Sequence, residues 1–382
     1  MRFSVLRMIP LIGTLCGIAY SLLTLWCAAT YRTRSRKEPN NAFAPPVSIL
    51  KPLCGLDPHA YESLRSHCLQ DYRQFEIIFG TSDPNDPIVR TVRRLMTEFP
   101  AVPMKLVACP QRLGTNLKIS NVIQMLPEAR HDFLLINDSD IGVPKDYLRR
   151  VMAPLEDPSA GMATCLYRGI GAGSPGSQLE SLGIISDFIP GVLCARHLEG
   201  GLYFAMGSTL AFPRRTLDAI GGLNPLADYL ADDYEMGYRT SKAGLRIELA
   251  DCIVDHYLPA YSFKAFIQHQ LRWARAIRSS RPGGYAGLIL TFVIPWSLLT
   301  VLAAGGAGWA WVLFTSALIL RFAGAFVTAL AVLGDRRISR DLWLLPIRDF
   351  SALLVWISCY AGRHVVWRGK KFDLVNGKLR SV

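Results

Sequence analysis

Carboxylates stand at several points where this chain could do chemistry. Asp138 and Asp140, in Asn137-Asp138-Ser139-Asp140, follow the apolar run Phe133 to Ile136. In a turn at a strand's end, alternate residues can aim two carboxylates at one point, as a small divalent cation requires. Mg2+ or Mn2+ suits such oxygen ligands and shares them with substrate phosphates. An isolated Asp-x-Asp is equally a turn held by Asx hydrogen bonds. Asp83, in Thr81-Ser82-Asp83-Pro84, ends an earlier apolar run. It can accept from a uracil or ribose edge, or simply shape a turn before proline. Asp232-Asp233 opens a helix-like stretch, where carboxylates are electrostatically favoured and where one could act as a general base. His269-Gln270-Leu271-Arg272-Trp273 precedes apolar segments. There Arg272 offers a fork of donors to a diphosphate and Trp273 a wall for an acceptor, although Arg and Trp also populate membrane-interface helices. Lys118 and Asn121 lie in a polar loop, Gly114 to Asn121, that runs into a helix. This is a plausible phosphate site without the glycine spacing of a P-loop. His256 is a further candidate ligand or a structural histidine.

These residues need a scaffold, and the apolar pattern supplies one. Val47 to Leu50, Phe75 to Gly80, Met104 to Cys109 and Phe133 to Ile136 read as short strands, with helix-like stretches between the first two and over Ile88 to Phe99. Strands separated by helices imply βαβ units and a mainly parallel sheet, whose ligands bind outside the carboxyl ends of the strands. Asp83 and the Asp138–Asp140 pair fall at such ends.

The flanks are membrane-like. Ile9 to Ala29 carries no charge and matches the ~20 residues of a spanning helix. The basic cluster Arg32, Arg34, Arg36 and Lys37 follows it, which places the next domain in the cytoplasm by the positive-inside rule. Leu182 to Met206 is too interrupted to read as a span. Ala286 to Ala304, Trp309 to Leu333 and Leu342 to Ala361 are further apolar runs, the last two holding Arg321, Arg348 and Asp349. Three crossings there would put the basic tail from Arg363 to Arg380 outside. The expected division is a membrane anchor and basic flank at 1–37, a cytosolic catalytic domain at 38–284, and membrane helices with a basic tail at 285–382. The net charge of +12 accompanies no nucleic-acid-binding signature, and basic residues cluster beside apolar runs, which points to a membrane partner. Nine cysteines without a Cys-x-x-Cys suit reduced thiols.

Taken in order, these motifs resemble the inverting, processive-type family two glycosyltransferases, and more closely their ceramide glucosyltransferase branch. The resembling segments are Val47 to Leu53, Asp83 to Pro87, Gly114 to Asn121, Asn137 to Asp140, Gly207-Ser208-Thr209, Ala231 to Tyr234 and Gln270 to Trp273. The resemblance implies an α/β, GT-A type catalytic domain (Rossmann-like, with a mainly parallel sheet) and membrane helices at both ends. It implies transfer of a sugar from a UDP-sugar, UDP-glucose first, to the hydroxyl of a membrane lipid, ceramide first. Hopanoid-modifying enzymes are close relatives, so an N-acetylglucosaminyl or other glycosyl transfer to bacteriohopanetetrol is the alternative. A polysaccharide synthase normally has more spans than the four runs here, and a non-enzymatic scaffold would not need the carboxylates. Carried over by position, Asp83 contacts the uridine, Asp138 and Asp140 hold the diphosphate through Mg2+ or Mn2+, and Asp233 is the general base with Asp232 beside it. Lys118 and Asn121 help bind the donor, and Arg272 and Trp273 close over diphosphate and acceptor. His269 stands where the family has Gln or Arg. A multi-pass protein of the bacterial inner membrane is expected, with no protein partner.

Overall fold

The structure, a computed structural model, describes residues 5–34, 43–57, 59–367 and 369–381. Arg36, Lys37 and the domain boundary expected at 37 lie outside the described residues. The chain forms two compact units, each assembled from separate stretches: Lys37–Ala172, Glu199–Pro259 and Phe372–Val382 in one, Met1–Arg36, Gly173–Leu198 and Ala260–Lys371 in the other.

The first unit is built on strands β1 (Val47–Leu53), β2 (Phe75–Thr81), β3 (Met104–Ala108), β4 (Phe133–Ile136), β5 (Ile141–Gly142), β6 (Ala160–Ile170), β7 (Leu210–Pro213) and β8 (Arg246–Tyr257). They form one sheet in the order β3-β2-β1-β4-β7-β6-β8-β5. β1 runs parallel to both β2 and β4 and is buried along its whole length, which is why it reads as an unbroken apolar run. Pro52 lies beyond the residues paired with β4, so its missing N–H breaks no ladder on that side. The pairings bring several segments to one edge. β4 stops at Ile136 and β7, antiparallel to it, starts opposite at Leu210. The turn before β7 therefore meets the turn after β4. β8 runs parallel to β6, so His256 emerges at that same edge, with β5 paired across from it. Strands Lys370–Val375 and Lys378–Ser381 form a hairpin whose residues from Phe372 on belong to this unit, and it pairs with the loop ahead of Asp232: Leu379 N donates to Asp228 O (2.7 Å) and Leu230 N to Gly377 O (3.0 Å).

The second unit is mainly helical, with a short strand at His364–Trp367. Among the described residues, four of its helices are long and apolar enough to cross a membrane: Met8–Tyr31, Pro175–Leu198, Gly308–Val332 and Ile338–Tyr360. One sequence expectation changes here. Ala286 to Ala304 is not one straight helix but two, Pro282–Thr291 and Val293–Ala303, meeting at 52°. Pro295 explains the break: its ring would strike the carbonyl of Thr291 in a continuous helix, whereas it fits the first turn of a new one. The region from Leu182, read as too interrupted to span, lies largely in the long apolar helix ending at Leu198. Its Asp187 is matched within the unit. Asp187 pairs with Arg321 and with Arg348 (3.1 Å), and Arg321 forks onto both oxygens of Asp349 (3.0 and 2.6 Å) while its other terminal nitrogen donates to Ser186 O (2.6 Å). Glycines set the helix approach: a Cβ on Gly13 would sit 2.4 Å from the Trp296 ring, and one on Gly17 2.8 Å from Val293, the close packing small residues give membrane helices.

Removing one member of this buried set strands the other. Arg321→Met is expected to destabilise the detergent-solubilised protein by about 3–5 kcal/mol, and Arg321→Met with Asp349→Leu to recover much of that loss. Thermal unfolding of the two variants checks it; equal losses would show that the pair is not coupled.

Candidate active site

The site is assembled at the sheet edge around one lysine. Lys118 lies in the first turn of the helix Leu117–Met125. Asn116 caps that helix, its Oδ1 accepting from Ile119 N (3.2 Å), and its Nδ2 donates to Tyr229 O (2.8 Å) and Asp232 Oδ1 (3.2 Å). One residue thus starts the helix and ties it to the acidic pair. Lys118 Nζ reaches Asp138 Oδ1 at 2.9 Å and Asp232 Oδ2 at 3.0 Å. Asp233 accepts from Gly207 N and from Tyr234 N, both at 2.7 Å. A side chain at Gly207 would be tight, since a Cβ there would lie 3.0 Å from Asp138 Oδ2 and 3.2 Å from Asp233 Oδ2.

Charge follows from this crowding. Burial and the neighbouring Asp232 push the Asp233 acid up to about 6, against the pull of Lys118. Burial works to lower the Lys118 ammonium, but the carboxylates of Asp138, Asp232 and Asp233 outweigh it and hold its pKa well above the usual lysine value. At neutral pH the arrangement is one fixed cation among three carboxylates, with the most perturbed acid placed to exchange a proton.

Asp140 sits differently. Its Oδ2 faces His256 Nε2 at 3.2 Å, while its Oδ1 is buried with no hydrogen-bond partner among the described residues. Burial would raise the Asp140 acid, but His256 foremost, and then Lys51, bring it below the usual range. No three His, Cys, Asp or Glu side chains converge on a cation position among the described residues. The donor set is the partial kind: a partly exposed Asp138 and an Asp140 oxygen still wanting a donor. Mg2+ typically takes one or two protein carboxylates and completes its shell with water and phosphate oxygens, so these residues fit such an ion.

The remaining sequence candidates fall in varied places. Asp83 is exposed after β2 and its Oδ1 accepts from Asn85 N (2.8 Å), an Asx turn. Asn121 is buried and its carboxamide oxygen accepts from Ser82 Oγ (3.0 Å), which fastens the end of β2 to the Lys118 helix. His269, Arg272 and Trp273 belong to the helical unit, on the helix Phe263–Ser280 capped by Ser262. His269 Nδ1 lies 3.0 Å from Glu180 Oε2, its ring stacks on Tyr261, and it meets Trp273 one turn on. Sequence reading missed Lys51, which is fully buried in β1, donates to Asn137 Oδ1 and Asp138 O, and is pushed down to about 7 by burial. A lysine in an otherwise apolar strand was the available signal.

Lys118→Met leaves the carboxylates without their internal cation. It is expected to lower the melting temperature more at pH 7.5 than at pH 5, because the crowded acids then take up protons. Mn2+ should raise the melting temperature of the variant more than that of the unaltered protein. A loss independent of pH and metal would contradict the electrostatic account.

The model of the family described as Glycosyl transferase family 21 matches residues 9–380. Ceramide glucosyltransferase 1 of Caenorhabditis elegans is 22% identical over 377 residues, covering 92% of this chain and 76% of that protein. Ceramide glucosyltransferase 3 of the same organism is 24% identical over 258 residues, covering 64% and 53%. Among solved structures, a mannosyltransferase from Pyrobaculum calidifontis in complex with GDP-Man and Mn2+ aligns over 92% of this chain and 99% of its own with a TM-score of 0.54 and 19% identity. The fold is α/β of the GT-A type, with apolar helices at the N-terminus and in the C-terminal region.

Proposed function

The chain belongs to glycosyl transferase family 21, and from that premise we propose that it is an inverting enzyme moving a sugar, glucose first, from a UDP-sugar to the hydroxyl of a membrane lipid, ceramide first. The observation that carries the reading is the cluster of Asp138, Asp232 and Asp233 about Lys118, with the Asp233 acid raised to about 6. The family match and the ceramide glucosyltransferase relatives support the lipid acceptor. Asp138 and Asp140 would hold a divalent cation, which when bound supplies positive charge to the departing diphosphate.

Asp233 takes the proton of the acceptor hydroxyl. Its position is set by Gly207 N and Tyr234 N, and its raised affinity for a proton matches it to a base working near neutrality. The freed oxygen attacks the anomeric carbon as the bond to the diphosphate oxygen breaks, and UDP leaves with the electron pair. Configuration is inverted. Lys118 keeps a fixed positive charge beside Asp138 and Asp232 throughout, and Asn121 with Ser82 holds the end of β2, where Asp83 would meet the uridine. Arg272 would bind the diphosphate and Trp273 the acceptor, with His269 held by Glu180.

We propose a membrane topology from the connectivity. Residues before Gly173, from Glu199 to Pro259 and after Phe372 belong to one compact unit, which we place on the cytoplasmic side. Each excursion from it must cross the membrane an even number of times. The helix Pro175–Leu198 then does not cross, and of the three apolar elements between Ala260 and Lys371 only Gly308–Val332 and Ile338–Tyr360 do. The bent pair between Pro282 and Ala303 is re-entrant, and the basic tail returns to the cytoplasm, as the positive-inside rule favours.

Mass spectrometry of lipid products tests the reaction, with UDP-glucose and UDP-N-acetylglucosamine as donors and ceramide and bacteriohopanetetrol as acceptors. A hexosylceramide is expected; an aminosugar-bearing hopanoid would move the acceptor, and no turnover would refute the reading. Asp233→Asn should cost about 10³-fold in kcat with UDP affinity little changed. The unaltered enzyme's kcat/KM for the lipid should be flat above pH 6 and fall about tenfold per unit below it, as Asp233 gains its proton. An acid limb near pH 4 would show that the acid of the base is not raised in the working enzyme.

A further inference from the structure

Behind the Asp138–Asp140 turn runs a buried chain of hydrogen bonds that the reaction does not itself use. Lys51, at the carboxyl end of β1, has no exposed surface. Its Nζ donates to Asn137 Oδ1 (2.9 Å) and to the main-chain carbonyl of Asp138 (2.6 Å). Lysine has only donors, so the Asn137 oxygen must face it and the Asn137 NH2 must point away. That NH2 lies 2.8 Å from His67 Nε2 and 3.4 Å from Tyr147 Oη. His67 Nδ1 is 2.9 Å from Ser63 O. A carbonyl can only accept, so Nδ1 carries the proton and Nε2 accepts from Asn137: His67 is neutral, in one fixed tautomer. Tyr147 Oη and Thr209 Oγ1 are 2.9 Å apart, and Thr209 Oγ1 donates to Ser208 O (2.6 Å). The Thr209 proton being committed, Tyr147 donates to Thr209.

Every bond in this chain therefore has a determined direction, beginning at the Lys51 ammonium. It ends in the Met206–Thr209 turn, closed by Thr209 N donating to Met206 O (3.0 Å), whose Gly207 N holds Asp233. Asn137, His67 and Thr209 are all fully buried. An apolar core of the same shape would avoid the desolvation of a buried ammonium, so stability alone does not call for a lysine here. What the lysine does locally is grip the main chain of Asp138, the residue between Asn137 and Ser139 in the turn that presents both candidate cation ligands.

We propose that Lys51 is a positioning residue for nucleotide-sugar binding: through Asn137 and the Asp138 carbonyl it sets the Asp138–Asp140 turn, and through Tyr147 and Thr209 it keeps that turn in register with the turn that holds Asp233. The inference rests on the glycosyltransferase reading. Supporting groups of this kind typically change metal affinity 10- to 100-fold when removed.

Calorimetric titration of UDP into the full-length protein in detergent, with and without Mn2+, tests it without an acceptor or turnover. Lys51→Met fills the same volume without charge. It is expected to stay folded, to lose about tenfold or more in Mn2+-dependent UDP affinity, and to change little in UDP affinity without the metal. His67→Leu, which takes the acceptor from Asn137, should show the same metal-specific loss, and His67→Gln should restore most of it. If Lys51→Met does not fold, the two His67 variants decide. Mn2+-dependent affinities within threefold of the unaltered protein in Lys51→Met, or equal affinities in the two His67 variants, overturn the proposal. Those results would leave the glycosyltransferase reading intact, whereas an unaltered protein that fails to bind UDP at all would overturn both.

Discussion

The arrangement depends on one unfavourable fact: three carboxylates are crowded together at the edge of a sheet. Such a cluster repels itself, and at partly buried sites little water is available to screen it. Lys118 makes it tolerable by standing 2.9 Å from Asp138 and 3.0 Å from Asp232. Its location follows from the Asn116 cap, which starts the helix and grips Asp232 at once. The sheet topology does the rest, since the antiparallel entry of β7 beside β4 brings Gly207 and the Asp138 turn to one edge. The charge left over, more negative than positive, is what a site for a cation–diphosphate pair would present.

The helical unit solves the same problem differently. In the α/β unit the acids are left partly unsatisfied, with Asp140 keeping an oxygen without a donor. Around Arg321 the charges form forked pairs with Asp349 and Asp187, as groups remote from water must. Even there the pairing is incomplete, since Asp187 Oδ2 and Arg348 Nε are buried without a hydrogen-bond partner among the described residues. Glu180 is a further case: nearly fully buried, it has one oxygen on His269 and the other without a hydrogen-bond partner among the described residues.

Much of the fold was legible because the signals were local. The four apolar runs became β1 to β4 with nearly the expected ends, and Ile88 to Phe99 became the helix Ile88–Glu98. Asp138, Asp232, Asp233 and Lys118 were named from motif order, and the fold brings them together. What sequence could not supply was anything depending on distant partners. Lys51 lay just past the apolar run Val47 to Leu50, and only the pairing of β1 with β4 puts Asn137 and Asp138 at its Nζ. The helix ending at Leu198 was read as not spanning, but the partners of its Asp187, which are Arg321 and Arg348, lie far along the chain and could not be named. The break near Pro295 was readable from proline chemistry alone, yet was outweighed by the hydrophobicity of the run. The C-terminal hairpin, read as tail, pairs with residues that lead into Asp232.

The most direct measurement is an experimental structure of the protein with UDP-glucose and Mn2+, with data collected at the manganese edge. The account predicts one anomalous peak at the carboxylates of Asp138 and Asp140, the diphosphate against it, and Asp233 still held by Gly207 N. A nucleotide bound with no manganese at those two residues, or with its diphosphate away from the Lys118 cluster, would contradict the assignment of this edge as the active site.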